Sequence, residues 1–182
     1  MLVGMALPSS AAGTLPSPRD PEQPYRICVV CLGNICRSPM AEVVLRTRLE
    51  HAGLSGKVEL ESAGTGDWHA GESMDSRARA ELSRRGFDGS AHTARQIQAS
   101  WLARYDLLLA MDQSNVAGLR QLAGRDDHLA ARIRLLRSFD PDAVIGAEVP
   151  DPYYGGPGEY AEVFDLVEAA ARGLVGQLQA EL

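Results

Sequence analysis

The stretch Ile27-Cys28-Val29-Val30-Cys31, followed by Leu32-Gly33-Asn34-Ile35-Cys36-Arg37-Ser38-Pro39, constrains this 182-residue chain more than any other. Ile27 to Cys31 is an unbroken apolar run with β-branched Val29 and Val30 at its centre, the pattern of a strand buried on both faces. A glycine and an asparagine break the run, and Ser38-Pro39 reads as an N-cap with proline at the first helical position. Met40, Val43 and Val44 follow at helical spacing. The expected local structure is strand, tight loop, helix.

Such a loop aims several backbone N–H groups and the positive end of a helix at one point, which makes it an anion site. Cys31 stands at its first position, where the amides, the dipole and the guanidinium of Arg37 would favour a thiolate. Arg37 returns to the rim after five intervening residues as a planar, two-pronged donor suited to two oxygens of a phosphoryl group. Together these residues describe a phosphate cradle with a nucleophile at its floor.

The rest of the chain narrows the setting. A net charge of −6 argues against nucleic acid or an anionic membrane as the partner, so the attraction for phosphate has to be local to the loop. Cys28, Cys31 and Cys36 are the only cysteines, too few and too close together for the disulfide framework of a secreted fold; a reducing, cytoplasmic compartment is expected. Their spacing invites a zinc site, but Cys28 falls on the buried strand and the first histidine is His51, so Cys28 reads as a small buried apolar residue and no metal is expected. Residues 1–24 carry five prolines and read as a disordered extension ahead of a single domain at 25–182. Within the extension, Leu2 to Leu7 is too short for a membrane span and has no basic flank, and Met5 is an alternative start.

The first helix should stop near Gly53. Val58, Leu60 and Ser62 alternate with glutamates as a second strand would. A helix is expected from Asp75 to Arg85, closed by Gly86, then a central strand at Leu107 to Met111 and a helix at Gln113 to Leu122. Ile133, Leu135 and Leu136 mark a last strand, and the final helix carries Val163, Leu166, Val167, Ala170, Leu174 and Leu178 on one face. This alternation implies an α/β fold, a four-stranded parallel sheet with helices on both faces, and places Cys31 at the carboxyl ends of the strands where such sheets bind ligands.

The Cys31-x5-Arg37-Ser38 loop, with SAGT at Ser62 to Thr65, DWHAG at Asp67 to Gly71, AMD at Ala110 to Asp112 and EVPDPYYGG at Glu148 to Gly156, resembles the low-molecular-weight protein tyrosine phosphatases from Tyr25 to the C-terminus. The resemblance implies a flavodoxin-like strand order and hydrolysis of phosphotyrosine in proteins through a phosphocysteine at Cys31, with no cofactor. It implies that Asp151 is the general acid and later the base, and that Ser38 donates to the Cys31 sulfur. Leu32, Gly33, Asn34, Ile35 and Cys36 complete the phosphate-binding loop; Asn34, with positive φ, Ser62 and His92 form the hydrogen-bond network that holds it. Asp112 either orients Arg37 or caps the next helix. Trp68, Tyr153 and Tyr154 are expected as cleft walls that favour an aromatic ester, and Cys36 as the partner of Cys31 in a reversible disulfide.

Other readings of the same loop fit less well. Arsenate reductases of this fold need relay cysteines, and none follows Cys36. Protein arginine phosphatases tend to carry threonine where Ile35 stands, and a non-catalytic phosphopeptide-binding module would be expected to have lost Cys31, Arg37 or Asp151. The expected partners are tyrosine-phosphorylated proteins, and the chain itself is expected to be a monomer or weak dimer.

Overall fold

The apolar runs become the middle of one sheet in the computed structural model, which describes residues 13–182. Strands β1 (Tyr25–Cys31), β2 (Val58–Gly64), β3 (Leu107–Ala110) and β4 (Ile133–Leu135) pair in parallel in the order β2-β1-β3-β4, the expected flavodoxin-like arrangement. Because successive side chains of a strand point to opposite faces and both faces of this sheet are covered, the residues of β1 feed two cores in alternation. Ile27 and Val29 join Leu107 and Leu109 under α1 (Arg37–His51), α2 (Ser76–Arg84) and α5 (Pro157–Glu181). Cys28 and Val30 join Leu108 and Ala110 under the 3-10 turn 99–104 and α3 (Gln113–Ala123). Cys28 is fully buried there, as its packing role requires.

Several local expectations shift. Helix α1 begins at Arg37 after Cys36 and has no side-chain cap, so Ser38 is not its N-cap; the hydroxyl is committed to Cys31 instead. The buried stripe of α1 is Met40, Ala41, Val44, Leu45 and Leu49, with Val43 only half-buried. Leu136 leaves the last strand for a 3-10 turn at 136–139, and a four-residue helix, α4 (Asp127–Ala130), precedes β4. Neither is long enough to show a period. In α5 Tyr160, Phe164, Ala171 and Val175 are buried beside the expected stripe, while Leu166 is half-buried.

Leu2 to Leu7 and Met5 lie outside the described residues. Residues 13–24, expected to be disordered, make fixed contacts. Tyr25 donates its hydroxyl to the carbonyl of Pro16 (2.9 Å), Gln177 donates to the carbonyl of Gly13 (2.8 Å), and Leu15 packs on the larger core. Buried Asp106 accepts from the backbone and guanidinium of Arg19 (2.6 and 3.1 Å) and from the backbone of Arg26 (2.7 Å), with Arg132 at 3.5 Å. A carboxylate withdrawn from water needs such partners, and this one draws the N-terminal segment onto the sheet.

Helix α5 crosses the 136–139 turn so closely that a Cβ on Gly173 would overlap the Phe139 carbonyl. Glycine to alanine inside a helix ordinarily adds up to about 1 kcal/mol. Gly173→Ala should instead lower stability by ~2–3 kcal/mol in urea unfolding, and an unchanged or higher midpoint would contradict this packing.

Candidate active site

Register brings the strand ends level. Cys31 lies opposite Gly64, and Val30 opposite Ala110. The loop after β1 rests on β2: Thr65 N–H donates to the Cys31 carbonyl and Gly66 N–H to that of Leu32, both at 2.9 Å. A Cβ on Gly64 would come within 2.7 Å of the Leu32 carbonyl oxygen and 3.1 Å of the Asn34 nitrogen, so the glycine of SAGT is what allows this approach.

Asn34 alone among the described non-glycine residues has positive φ, 57°, and its polar atoms all find partners. Its Nδ2 donates to Ser38 Oγ (2.8 Å) and Ser62 Oγ (3.0 Å), its Oδ1 accepts from Arg95 N–H (3.0 Å), and its carbonyl accepts from His92 Nε2 (2.6 Å). Ser62 in turn donates its hydroxyl hydrogen bond to Glu42. With Asn34 donating to its oxygen, Ser38 turns its proton to Cys31 Sγ at 3.1 Å or, more distantly, to the Ala63 carbonyl at 3.4 Å. The N–H of Asn34 also reaches Cys31 Sγ, at 3.3 Å. Donors therefore converge on the sulfur.

Arg37 is buried, with Nη1 donating to Asp112 (2.6 Å) and the Val149 carbonyl (3.2 Å) and Nη2 to Asp151 (3.2 Å). Burial opposes its charge, but Cys31, Asp112 and Asp151 outweigh that and hold the guanidinium above its ordinary pKa. Asp112 fills both roles left open by the sequence. Its second oxygen accepts from Asn115 N–H (2.8 Å), while the Asn115 side chain accepts from Asp112 N–H (3.2 Å), a capping box on α3.

A cleft of about 280 Å³ opens over Cys31, with Arg37 and Asp151 beside it and Trp68, Tyr153 and Tyr154 around the mouth. Trp68 is 69% exposed and Tyr154 98%; Tyr154 meets Tyr153 edge-on at 5.0 Å. Burial pushes the Cys36 thiol up to about 12, and its sulfur lies 3.4 Å from the Tyr160 hydroxyl. A larger hollow of about 540 Å³ runs beside β2, but polar groups on its lining engage one another, Arg26 with Glu59 and the Tyr105 hydroxyl with Glu61. It offers less to an anion than the smaller cleft. Among the described residues no group of three or more His, Cys, Asp or Glu side chains is arranged to hold a metal ion.

Four contributors escaped the sequence reading. Glu42 and Arg95 complete the bonds behind the loop, and Arg77 reaches the Asp151 segment. His69 lines the cleft with Nδ1 2.8 Å from Glu72 Oε2. Only the i,i+4 pairing of Glu42 with Arg46 was visible in the linear pattern, and it says nothing of Ser62.

A parallel α/β sheet with a cysteine-and-arginine anion loop at its carboxyl edge defines the class of protein. The profile of the low molecular weight phosphotyrosine protein phosphatases matches residues 26–182. A low molecular weight protein-tyrosine-phosphatase of Streptomyces coelicolor is 51% identical over 160 residues, covering 87% of this chain and 96% of its own. Low molecular weight protein-tyrosine phosphatase A of Mycobacterium tuberculosis is 45% identical over 152 residues, covering 83% and 90%. Among solved structures, YfkJ of Bacillus subtilis superposes with a TM-score of 0.80 at 36% identity, over 87% of this chain and 96% of its own. Wzb of Vibrio vulnificus in complex with benzylphosphonate gives 0.71 at 27%, over 84% and 98%. The chain belongs to the low molecular weight phosphotyrosine protein phosphatase family, and its enzymatic class is protein-tyrosine-phosphatase.

Asn34→Ala should lower stability by ~2–4 kcal/mol, since it removes three side-chain bonds and leaves a Cβ in a left-handed conformation without compensation. Asn34→Gly loses the same bonds but not the backbone preference, and should be more stable than Asn34→Ala by ~1 kcal/mol. Denaturant midpoints in the opposite order would reject the strained-turn account.

Proposed function

We propose that Cys31 attacks the phosphorus of a phosphotyrosine side chain, forming a phosphocysteine and expelling the tyrosine oxygen. The observation that carries this reading is the convergence of the Ser38 hydroxyl and the Asn34 N–H on Cys31 Sγ, at the floor of a cleft flanked by Arg37 and Asp151. Asp112 and Val149 occupy Nη1 of Arg37, which leaves Nε, with Nη2 once it is released from Asp151, as a fork for two phosphoryl oxygens. A loose transition state gains most from such fixed donors.

In the first step the sulfur–phosphorus bond forms as the phosphorus–oxygen bond breaks, and Asp151 delivers its proton to the departing oxygen. In the second, Asp151 takes a proton from water, the water oxygen attacks phosphorus, and Cys31 leaves as a thiolate that Ser38 stabilises. Trp68, Tyr153 and Tyr154 suit an aromatic ester, and the benzylphosphonate held by the Vibrio vulnificus relative has the same pairing of ring and anion. The reading includes a cytoplasmic location and phosphoprotein substrates. The location is supported by the three cysteines, which are all unpaired.

Phosphate release from a phosphotyrosine peptide, with EDTA and reductant present, should persist in the wild type. Cys31→Ser should lower it by ~10³-fold or more while phosphate still binds, because a serine hydroxyl is barely ionised at neutral pH. Appreciable residual turnover would sink the nucleophile assignment. Asp151→Asn should cut kcat/KM for phenyl phosphate by ~10²-fold and for p-nitrophenyl phosphate, with its better leaving group, by less than ~10-fold; equal losses would reject the general acid.

A further inference from the structure

Asp151 rides on the segment Asp151–Gly156, whose internal ties are few: Tyr153 N–H donates to Asp151 Oδ1 (3.1 Å) and Gly155 N–H to the Pro152 carbonyl (2.8 Å). The carbonyls of Tyr153 and Gly155 are held from outside, by Nη1 of Arg77 at 2.9 and 3.3 Å. The other edge of this guanidinium forks onto Asp75, with Nε at 3.1 Å and Nη2 at 2.9 Å. Its carbon lies 5.6 Å from the centre of the Tyr153 ring and 5.0 Å from that of Tyr160. Asp75 and Tyr160 both reach the nucleophile loop. The N–H of Asp75 donates to the Ile35 carbonyl (2.9 Å), and the Tyr160 hydroxyl lies 3.4 Å from Cys36 Sγ. Arg77 thus joins the loop that carries the acid to the loop that carries the sulfur, from outside the cleft lining.

We propose that Arg77 is the positioning residue that sets Asp151 over the phosphate-binding loop. The assignment rests on the reading of Asp151 as general acid. As an anion, Asp151 is held by Arg37 at 3.2 Å. That hold fails when it is needed, since a carboxyl group carrying the proton no longer attracts the guanidinium and the phosphoryl oxygens compete for the same Nη2. The position of the acid then depends on its backbone segment. A misplacement of about 1 Å costs up to ~10²-fold in rate. A half-exposed ion pair by itself contributes little, but Arg77 makes four hydrogen bonds through one rigid plane and lies near two aromatic rings, which a lysine ammonium cannot reproduce.

The test compares kcat/KM for phenyl phosphate and p-nitrophenyl phosphate in Arg77→Met, Arg77→Lys, Asp151→Asn and the double variant Arg77→Met/Asp151→Asn. Arg77→Met should lose ~10- to 30-fold on phenyl phosphate and less than ~3-fold on p-nitrophenyl phosphate, with Arg77→Lys between it and the wild type. In the Asp151→Asn background, Arg77→Met should add no further loss. Equal slowing of both substrates by Arg77→Met, or an added loss in the double variant, would overturn the assignment. Should Arg77→Met fail to fold, Arg77→Lys carries the same comparison. Absence of leaving-group discrimination in Asp151→Asn alone overturns the general-acid reading, and is seen without reference to Arg77.

Discussion

The left-handed turn at Asn34 is the constraint on which the site depends. A loop can aim its N–H groups at one point only if the backbone reverses within a few residues, and a single residue of positive φ achieves that. Asparagine tolerates the conformation and then secures it with its side chain, so that the same residue both bends the loop and ties it to β2, to Ser38 and to the 92–95 segment. Buried polar atoms are affordable there because each has a partner. A half-satisfied version of this cluster would be worse than an apolar one.

From this turn the arrangement spreads outward in shells of different rigidity. Cys31 and Ser38 belong to the sheet edge and the first turn of α1, and Arg37 is clamped by Asp112, itself locked by its cap on α3. Asp151 is on the opposite footing, exposed and on a glycine-containing segment. In the proposed mechanism the site thus pairs a stationary nucleophile with a carboxyl group that has to change partners within each turnover. Rigid support is concentrated where charge is held and relaxed where a proton must move.

Much of this was legible in the linear chain because the decisive residues lie close together. The strand, loop and helix from Ile27 to Val44 carry the sulfur, the fork and the turn in 18 consecutive positions, and the DPY motif marks the proposed acid. Asp112 was ambiguous in sequence because it has two oxygens and uses one for each role. Ser38 misled because a serine before proline looks the same whether its hydroxyl caps a helix or serves a sulfur. Arg77 was invisible, since its partners at Tyr153 and Gly155 stand more than seventy residues away and Asp75-Ser76-Arg77 reads as an ordinary capped helix start. The 3-10 turns at 99–104 and 136–139 are too short to show a period.

Asp106 carries a consequence for the residues just ahead of the family region. Similarity to the family starts at Arg26, yet the carboxylate buried at the amino end of β3 takes two of its hydrogen bonds from Arg19, and Tyr25 is anchored on Pro16. A chain trimmed to the region of similarity would keep every residue of the cleft and still strip a buried anion of half its shell, at the edge of the sheet opposite the site. Residues 13–24 therefore share in the packing of the sheet although they lie ahead of the region of family similarity.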